Sequence, residues 1–344
     1  MTTGASSLVR ELLEEYGSAT RLHLRRYFAG FQPKRHLYAL AADYPGRGGR
    51  SFRASLCIAT ARAFGATTED AINSAVALEL LHNAFLVHDD VEDESEERRG
   101  RPALHLLWGI PLAINAGDAL AVISLRPLVE NQRTLGPRLA LRILEEAERM
   151  ARESVEGQAI ELGWRRDNVV HLDDEDYLRM ILKKTCWYTT IYPCRLGALI
   201  GTRDGVTLDR YLRFGFFLGA AFQIADDLLN LVGDPKQYGK EIGGDLWEGK
   251  RTLMLIHLLG HASPRERSRL ERVLGQSRAS RRAGDVHWMR ERMDTYGSIE
   301  YGRRIAHAMA GAALHEFSSA YRDLPASRDK AFLECLATWV IERA

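Results

Sequence analysis

Apolar residues recur along most of this chain at intervals of three and four, the spacing of one face of an α-helix. Four long segments show the pattern: ELLHNAFLVHDD (79–90), LALRILEEAERMARESVEGQAIEL (139–162), YLRMILKKTCWYTTIYPCRLGALIG (177–201) and RYLRFGFFLGAAFQIADDLLNLVG (210–233). Alternating strand patterns and glycine-rich strand-to-helix turns are almost absent, so a doubly wound sheet fits the sequence poorly. The sequence therefore predicts an all-α bundle.

Turn-forming residues interrupt this helical pattern at a few places. The breaks are YPGRGGRSF (44–52), GRPA (100–103), GVT (205–207) and the segment 233–252. Residues 261–284 are rich in arginine and serine, and we expect a solvated loop with a short helix inside it. No linker divides the chain, so residues 1–344 are predicted to form a single domain.

Composition and charge narrow the class of protein. A chain of 344 residues with 46% hydrophobic residues can bury a sizeable core. Its formal charge of +1 creates no overall field that would attract nucleic acid or an anionic membrane, so local clusters must hold any charged ligand. The longest apolar runs, such as 214–225, are shorter than a bilayer-spanning helix, and we expect no membrane-spanning segment. The four cysteines are scattered and the N-terminus lacks a signal peptide's apolar stretch, which favours a cytoplasmic protein.

Two of the predicted helices carry consecutive aspartates directly after an apolar turn. Asp89 and Asp93 share a helix face about 6 Å apart, and Asp226 and Asn230 repeat that spacing. Like charges this close destabilise a helix, so an attractive partner must offset them. The preceding turns, AFLVH and AAFQI, are typical of inward-facing surfaces, which favours a cavity over a solvated acidic face. Oxygen ligands without His or Cys suit Mg²⁺, which usually shares its coordination shell with substrate phosphates.

A phosphate-binding site also needs cationic side chains, and the chain has them near both aspartate motifs. Only seven of its 47 basic residues are lysines. Four of these are Lys183, Lys184, Lys240 and Lys250, where a compact ammonium can serve as a point charge for phosphate. The arginines Arg50, Arg53, Arg98 and Arg99 can bind phosphate through two parallel hydrogen bonds.

Six segments, in this order, carry a resemblance to a known family. They are GGRSFR (48–53), ELLHNAFLVHDDVED (79–93), RRGRPALH (98–105), KKT (183–185), FQIADD (222–227) and YGKEIGGDLWEGKRT (238–252). The chain resembles the trans-isoprenyl diphosphate synthases of the polyprenyl synthetase family, above all those that make geranylgeranyl or farnesyl diphosphate. The resemblance implies an isoprenoid synthase bundle of mostly antiparallel helices around a deep central cavity, and a homodimer.

The resemblance also implies a Mg²⁺-dependent condensation of isopentenyl diphosphate with an allylic diphosphate, and a role for each motif residue. Three Mg²⁺ ions on the allylic diphosphate would be held by Asp89, Asp93 and Asp226, with Asp90 and Asp227 supporting them through water. The same diphosphate would contact Arg98, Lys184, Lys240 and Lys250. Isopentenyl diphosphate would lie across Arg50, Arg53, His82 and Arg99. Weak dipoles beside the allylic cation would come from Thr185 and Gln223.

The sequence departs from the family pattern at two positions. Two further residues, on the helix before Asp89, bear on the length of the product. Arg50 stands where the family commonly has lysine, and Asn230 stands where the second motif commonly ends in aspartate. Phe85 and Ala84 lie four and five residues before Asp89 and are expected to point toward the path of the growing prenyl tail. Farnesyl-making relatives often have bulky side chains at both positions, so one bulky and one small residue favour a medium product, C20 ahead of C15.

Three alternatives remain open at this stage. A class I terpene cyclase would use the same ionisation but needs no second diphosphate, so Arg50, Arg53, His82 and Arg99 argue against it. An HD-type metal phosphohydrolase is suggested by the pair His88–Asp89, yet the second motif has no histidine. A noncatalytic subunit that regulates a prenyl synthase would be expected to have degraded aspartate motifs, and both motifs are intact.

Overall fold

The helical periodicity of the sequence becomes a set of packed helices in the computed structural model, which describes residues 3–233 and 242–342. The first half of the chain contains α1 (Thr3–Leu24), α2 (Ala39–Ala41), α3 (Asp43–Gly46), α4 (Phe52–Ala63), α5 (Thr68–Glu92), α6 (Leu104–Trp108), α7 (Ile110–Thr134) and α8 (Pro137–Arg166). The second half contains α9 (Asp174–Ile181), α10 (Tyr192–Gly201), α11 (Leu212–Val232), α12 (Gly244–Glu248), α13 (Leu253–His261), α14 (Pro264–Leu274), α15 (Ala283–Thr295), α16 (Ser298–Ala320) and α17 (Arg328–Glu342).

Short segments of other geometry connect these helices. Three 3₁₀ turns lie at Arg25–Tyr27, Leu208–Tyr211 and Arg278–Ser280, and two π-helical segments lie at Lys34–Tyr38 and Leu182–Ile191. A two-residue hairpin pairs β1 (Glu97–Arg98) with β2 (Arg101–Pro102) in antiparallel fashion. Arg99 and Gly100 make its turn with φ values of +54° and +69°. The predicted break at GRPA is therefore this hairpin.

Helices α4, α5 and α10 form the interior of the bundle. Helix α5 packs against α7 and α4, and α4 packs against α10. Every residue from 71 to 80 of α5 is buried, as expected for a helix enclosed on all sides. A capping box between Thr67 and Asp70 starts this helix, because each side chain accepts a hydrogen bond from the other's backbone N–H. One hydrophobic core cluster extends from Val9 in α1 to Val340 in α17.

Two parts of the sequence prediction need correction. Residues 177–201 do not form one regular helix: α9 and α10 flank the π-helical segment 182–191, in which backbone bonds span five residues. Residues 261–284 are not mainly a solvated loop. Ser263 caps α14 and Pro264 occupies its first turn, and the arginine-rich helix buries Leu270, Val273 and Leu274 at helical spacing.

Two segments are long and apolar enough to cross a bilayer, judged by length and composition: Ile110–Thr134 and Leu208–Val232. In their most apolar windows, 39% and 61% of the residues are buried within the protein. Core helices of soluble proteins pass the same test, so these two segments are weak evidence of a membrane span. The absence of a membrane-spanning segment stays a prediction.

Helix α8 approaches the π-helical segment so closely that only glycine fits at the contact. A Cβ atom added to Gly157 would lie 2.1 Å from the backbone nitrogen of Lys184 and 2.6 Å from its Cα. Six residues further along α8, a Cβ on Gly163 would meet no heavy atom within 4 Å. Gly157 therefore sets the distance between α8 and the backbone that carries Lys184.

These two glycines provide a matched test of the packing. Gly157→Ala is expected to lower the free energy of unfolding by about 1–3 kcal/mol, because the methyl group forces backbones apart. Gly163→Ala should instead raise it by up to about 1 kcal/mol, since alanine favours the helical state. Urea denaturation measures both. A stabilised Gly157→Ala variant would show that α8 and the π-helical segment do not pack as described.

Candidate active site

A cavity of about 1440 Å³ lies between α5, α8, the π-helical segment and α11. It brings together most of the residues singled out from the sequence. Its walls include Arg50, Arg53, His82, Phe85, Asp89, Arg98, Arg99, Lys184, Thr185, Gln223, Asp226, Asp227 and Lys250. Lys240 lies outside the described residues. Three other residues predicted from the sequence do not line the cavity: Ala84, Asp90 and Asp93.

The first aspartate motif divides its members between cavity and core. Asp89 faces the cavity, with 22% of its side chain exposed. Asp90 is fully buried, and its carboxylate accepts hydrogen bonds from Arg98 Nε at 3.0 Å and from the Tyr44 hydroxyl at 2.6 Å. Neighbouring helical residues point about 100° apart, so one of two consecutive aspartates must turn away. The oxygens of Asp90 therefore bind Arg98 and Tyr44, and its support of a metal ion through water stays a prediction.

Arg98 is bound mainly to Asp90. Its side chain is 6% exposed and also lies 3.6 Å from Asp89 Oδ2. Burial lowers the pKa of Arg98, but the neighbouring Asp90 carboxylate more than compensates and raises it above its ordinary value. The pair fixes the hairpin to the end of α5. Arg98 also lines the cavity, and its contact with a diphosphate stays a prediction.

Asp93 ends α5 and lies among cations instead of facing the cavity as expected. Lys250 Nζ lies 2.7 Å from its Oδ2, and Arg165 donates a hydrogen bond to its Oδ1. Lys250 also lies 2.8 Å from Glu248. Burial raises the pKa of Glu248 to about 7, with Asp93 and Asp245 adding to the effect against Lys250. Lys250 is therefore within ion-pair distance of three carboxylates, Asp93, Asp245 and Glu248.

In the second aspartate motif, both members reach the cavity lining. Asp227 is nevertheless only 6% exposed and accepts hydrogen bonds from Tyr177 and Gln223, each at 2.7 Å. Burial raises the pKa of Asp227 to about 7, and the nearby Asp226 and Glu161 charges contribute in the same direction. Thr185 Oγ1 lies 3.0 Å from Gln223 Oε1 and donates to it. The two residues expected to carry dipoles are therefore in direct contact.

Asn230 has a structural partner. Its side-chain oxygen accepts a hydrogen bond from the backbone N–H of Asp245 at 3.1 Å, and the residue is 3% exposed. Its backbone oxygen accepts from Gly243 at 2.7 Å. Asn230 therefore fixes the start of α12 to α11.

Lys184 lies between the two aspartate motifs. Its ammonium donates to Glu161 of α8 and lies 3.6 Å from Asp89 Oδ1. Burial lowers the pKa of Lys184, but the charges of Glu161 and Asp89 outweigh burial and raise it above its ordinary value. Lys184 is therefore a fixed positive charge at the end of the cavity where Asp89 lies.

A second group of cations lies on α4, α5 and the hairpin. Arg53 donates to Thr189 Oγ1 at 2.9 Å, and its guanidinium lies 4.3 Å from the ring centre of Tyr188. Arg99 donates to the Tyr44 backbone oxygen at 2.6 Å. Burial lowers the pKa of Arg99, while Glu79 partly opposes this shift. Together these side chains form a basic region on the same cavity.

The other two members of this group differ in exposure. His82 Nε2 lies 3.4 Å from Arg53 Nη1, so these two groups share the buried part of the region. Arg50 is exposed, and its guanidinium lies 5.5 Å from the ring centre of Trp339 in α17. The basic region therefore extends from the interior of the cavity to its rim.

The residues expected to limit product length separate in the structure. Phe85 lines the cavity and meets the ring of Tyr188 edge-on, with 5.6 Å between ring centres. Ala84 is 1% exposed and lies in the hydrophobic core, so the expectation that it points toward the growing tail is wrong. The rings of Phe85 and Tyr188 together narrow the cavity where they meet.

Several site residues were missed by the sequence analysis. On α8, Gln158 donates to Glu92, while Glu161 and Arg165 bind Lys184 and Asp93. These three α8 residues follow the spacing i, i+3, i+7, so they share one helix face, and that polar stripe was a usable signal. Tyr44 and Tyr177, which hold Asp90 and Asp227, had no comparable signal, because their partners lie 46 and 50 residues away.

The donor set fits a magnesium ion that completes its shell with phosphate oxygens and water. Within residues 3–233 and 242–342, no group of three or more His, Cys, Asp or Glu side chains could hold a metal ion by itself. Burial, with a smaller contribution from neighbouring carboxylates, raises the pKa values of Asp227 and Glu248 in this region. Mg²⁺ prefers carboxylate oxygens and retains waters, so this arrangement suits it.

Comparisons with known proteins decide the family. A family model described as Polyprenyl synthetase matches residues 34–291, more than half of the chain. The chain belongs to the polyprenyl synthetase family. A short chain isoprenyl diphosphate synthase from Methanothermobacter thermautotrophicus is 32% identical over 97% of this chain and 98% of its own length. A geranylgeranyl diphosphate synthase from Mycobacterium tuberculosis is 35% identical over 80% of this chain and 77% of its own.

Solved structures agree with this assignment. The geranylgeranyl pyrophosphate synthetase of Pyrococcus horikoshii superposes with a TM-score of 0.85 at 32% identity, covering 98% of this chain and 99% of its own. The predictions of the polyprenyl synthetase family, of an all-α isoprenoid synthase fold and of a trans-prenyltransferase are thereby confirmed.

The alternative of an HD-type phosphohydrolase finds no support in the geometry. His88 Nε2 lies 3.3 Å from both the Ile114 backbone oxygen and Asp118 Oδ1, so this ring binds α7. A phosphohydrolase of that type needs histidine and aspartate as ligands of one metal. His88 in this polyprenyl synthetase is instead a packing residue between α5 and α7.

The contrast between Asp89 and Asp90 can be measured. Asp90→Ala leaves the buried Arg98 guanidinium without its partner, and is expected to lower the free energy of unfolding by about 3–5 kcal/mol. Asp89→Ala removes a partly exposed charge and should change stability by about 1 kcal/mol or less. Chemical denaturation of the two variants compares them directly. Equal stabilities would contradict the division between core and cavity.

Proposed function

We propose that this chain condenses isopentenyl diphosphate with an allylic diphosphate and releases a medium-chain, all-trans prenyl diphosphate. One observation supports this most strongly: a single cavity has two acidic motifs at one end and the basic group of Arg53 and Arg99 in the same lining. Such a cavity can hold two diphosphates at once. The curated relatives include geranylgeranyl and short-chain isoprenyl diphosphate synthases, which fits a C20 product ahead of C15.

The side chains best placed to hold Mg²⁺ are Asp89 and Asp226, the first aspartates of the two motifs. The number of three Mg²⁺ ions is also part of the proposal. When bound, the ions would supply Lewis-acid stabilisation of the charge that develops on the departing diphosphate. Asp93 would join them only by releasing Lys250 or Arg165, which now bind it.

The chain's own cations contribute to the same end of the cavity. Lys184 and Lys250 are held as ammonium groups beside the acidic motifs, where each can attract a diphosphate oxygen. At about 4 Å and an effective dielectric of about 20, one such charge pair is worth roughly 4 kcal/mol before desolvation. Preorganised charges of this kind stabilise a leaving group without reorganisation during the reaction.

The remaining groups orient the partner and protect the allylic cation. Arg53 and Arg99 would hold the diphosphate of the isopentenyl substrate, so that its double bond faces the cation. Thr185 and Gln223 present dipoles between the acidic end and the apolar depth of the cavity. The apolar walls exclude water that would otherwise capture the cation. The isopentenyl double bond attacks the cation left by the departing diphosphate, and a proton then passes to that diphosphate to restore an alkene. The new carbon–carbon bond therefore needs no protein nucleophile.

The two remaining alternatives make different use of this cavity. A class I terpene cyclase has no second diphosphate to hold. This cavity nevertheless has a second set of cations, Arg53 and Arg99, in its wall, and Arg53 is held there by Thr189. A noncatalytic regulatory subunit would not need intact acidic motifs, and here both motifs reach one cavity. The structural observations therefore favour condensation over either alternative.

A homodimer is part of the proposal. Large apolar side chains are exposed on α6, α7 and α8, and they include Leu106, Leu107, Trp108, Ile110, Ile114, Val122, Leu125, Val129, Leu141, Leu144 and Val155. On α7, the spacing from Ile114 to Val129 places several of them along one helix face. A patch of this extent is typical of a protein–protein interface. A second copy of the chain is the proposed occupant.

We also propose a cytoplasmic location. All four cysteines are free, and Cys57, Cys186 and Cys194 are buried. Unpaired cysteines are the usual state in a reducing compartment.

Incubation with Mg²⁺, isopentenyl diphosphate and dimethylallyl, geranyl or farnesyl diphosphate tests the proposed function. We expect a new prenyl diphosphate, and loss of turnover when a strong chelator is added, because the acidic motifs then lack a cation to share with diphosphate. Asp89→Ala should abolish product formation in the same assay. Incubation with geranylgeranyl diphosphate alone is the control, and a hydrocarbon product there would favour a cyclase. Full activity with chelator would contradict the proposal.

Phe85→Ala is expected to lengthen the products, since it removes the ring that narrows the cavity beside Tyr188. Chromatographic sizing of the dephosphorylated products measures the change. Val87→Ala is the matched control: Val87 lies on the same helix and is 1% exposed, but it does not line the cavity. Val87→Ala is expected to lower the stability of the protein but to leave the product length unchanged. An unaltered product from Phe85→Ala would reject Phe85 as a limit on chain length.

A further inference from the structure

Arg281 is a buried arginine between the 3₁₀ turn 278–280 and α15, and it lies outside the cavity lining. It is 5% exposed. Among the described residues, no carboxylate lies within ion-pair distance of its guanidinium; every hydrogen bond goes to a backbone oxygen. A buried cation without a carboxylate partner is costly, so the fold must provide compensation elsewhere.

The compensation comes from the ends of two helices. Nη1 donates to Leu246 at 2.7 Å and to Trp247, near the C-terminus of α12. Nε donates to Val273 at 3.2 Å, at the C-terminus of α14. Nη2 donates to Leu274 at 3.2 Å and to Gln276 at 2.9 Å. These five bonds match the five N–H groups of a guanidinium.

Carbonyl groups at helix C-termini lack partners within their helix and carry partial negative charge. Arg281 therefore satisfies two helix ends with one side chain. Burial, followed by the charges of Arg165 and Arg278, lowers the pKa of Arg281 to about 10. The group still carries its charge at neutral pH, so it serves as a cation at both helix ends.

Helix α12 leads directly into the site. Gly249 follows it with a φ of +73°, and a Cβ there would lie 3.0 Å from Arg281 Nη2. Lys250 comes next, and its backbone N–H donates to the Asp245 carbonyl at 2.9 Å. Its ammonium then lies 2.7 Å from Asp93. The place of Lys250 in the site therefore depends on where α12 ends.

We propose that Arg281 is a positioning residue for the reaction: by clamping the end of α12 to α14, it holds Lys250 against the acidic motifs. The inference rests on the proposed function for its effect on turnover. Its structural part, that Arg281 acts through Lys250, also applies to the binding of a diphosphate without turnover.

The test is a double-mutant cycle of Arg281→Gln and Lys250→Ala. Arg281→Gln is expected to lower kcat by about 10- to 100-fold, the size of effect that a misplaced catalytic group produces. The KM for isopentenyl diphosphate should change little, because Arg53 and Arg99 donate hydrogen bonds to Thr189 and Tyr44, outside α12. In the Lys250→Ala background, Arg281→Gln should change kcat by less than about twofold, since residues that act as a unit are not additive.

Binding of inorganic pyrophosphate with Mg²⁺, followed by calorimetry, gives a second readout that requires no turnover. Arg281→Gln should weaken this binding in the parent chain and leave it nearly unchanged in Lys250→Ala. If the parent chain makes no prenyl product, the proposed function fails, but the binding cycle still decides the role of Arg281. Equal effects of Arg281→Gln in both backgrounds, by either readout, would overturn the positioning role.

Arg269→Gln is the matched control. Arg269 also joins α14 to α15, through Asp285 at 2.9 Å and the ring of Trp288, but it does not contact α12. It should keep kcat within about twofold of the parent chain.

Arg281→Lys keeps the charge but offers only three N–H groups, so it should lose activity as well. If Arg281→Gln does not fold, Arg281→Lys takes its place in the double-mutant cycle. Full activity of Arg281→Lys beside an impaired Arg281→Gln would show that charge alone matters, which contradicts the clamp.

Discussion

Burying carboxylates at the ends of α5 and α11 is possible only because cations and hydroxyl groups from other elements reach them. Asp90 binds Arg98, Asp93 binds Lys250 and Arg165, and Asp89 shares Lys184 with Glu161. These cations come from the hairpin, from α8, from the π-helical segment and from the residues after α12. The arrangement of the helices is therefore tied to the balance of charge around the cavity.

The two aspartate motifs share one device. In each, the first aspartate lines the cavity and the second is buried; Asp90 lies outside the lining, whereas Asp227 still borders the cavity. The buried aspartate accepts a hydrogen bond from a buried tyrosine in both cases, at 2.6 Å for Tyr44 and 2.7 Å for Tyr177. Burial, followed by the aspartate charge, raises the pKa of each tyrosine, so both hydroxyls remain donors. One aspartate fixes the helix end and the other remains available to a ligand.

Much of this could be predicted from the sequence, because it depends on local patterns. The apolar spacing gave the helices, and the apolar turn before each Asp–Asp pair gave the cavity. Sequence could not show which aspartate turns inward, since that depends on how α5 and α11 are rotated in the packed bundle. It also could not place Tyr44 or Tyr177, whose contacts are long-range. The π-helical segment was missed because its apolar pattern matches that of an ordinary helix.

The choice between lysine and arginine follows from what each position must do. Arg98 binds Asp90 through two nitrogens of a planar group, a geometry that suits a permanent structural contact. Lys184 and Lys250 are point charges: Lys184 is shared between two carboxylates and Lys250 among three, so neither is locked to one. A point charge exchanges one oxygen partner for another without realigning a plane, so a lysine can transfer to a diphosphate oxygen at lower cost. In a chain where lysines are a small minority of the basic residues, these two stand where the proposed function requires partners to change.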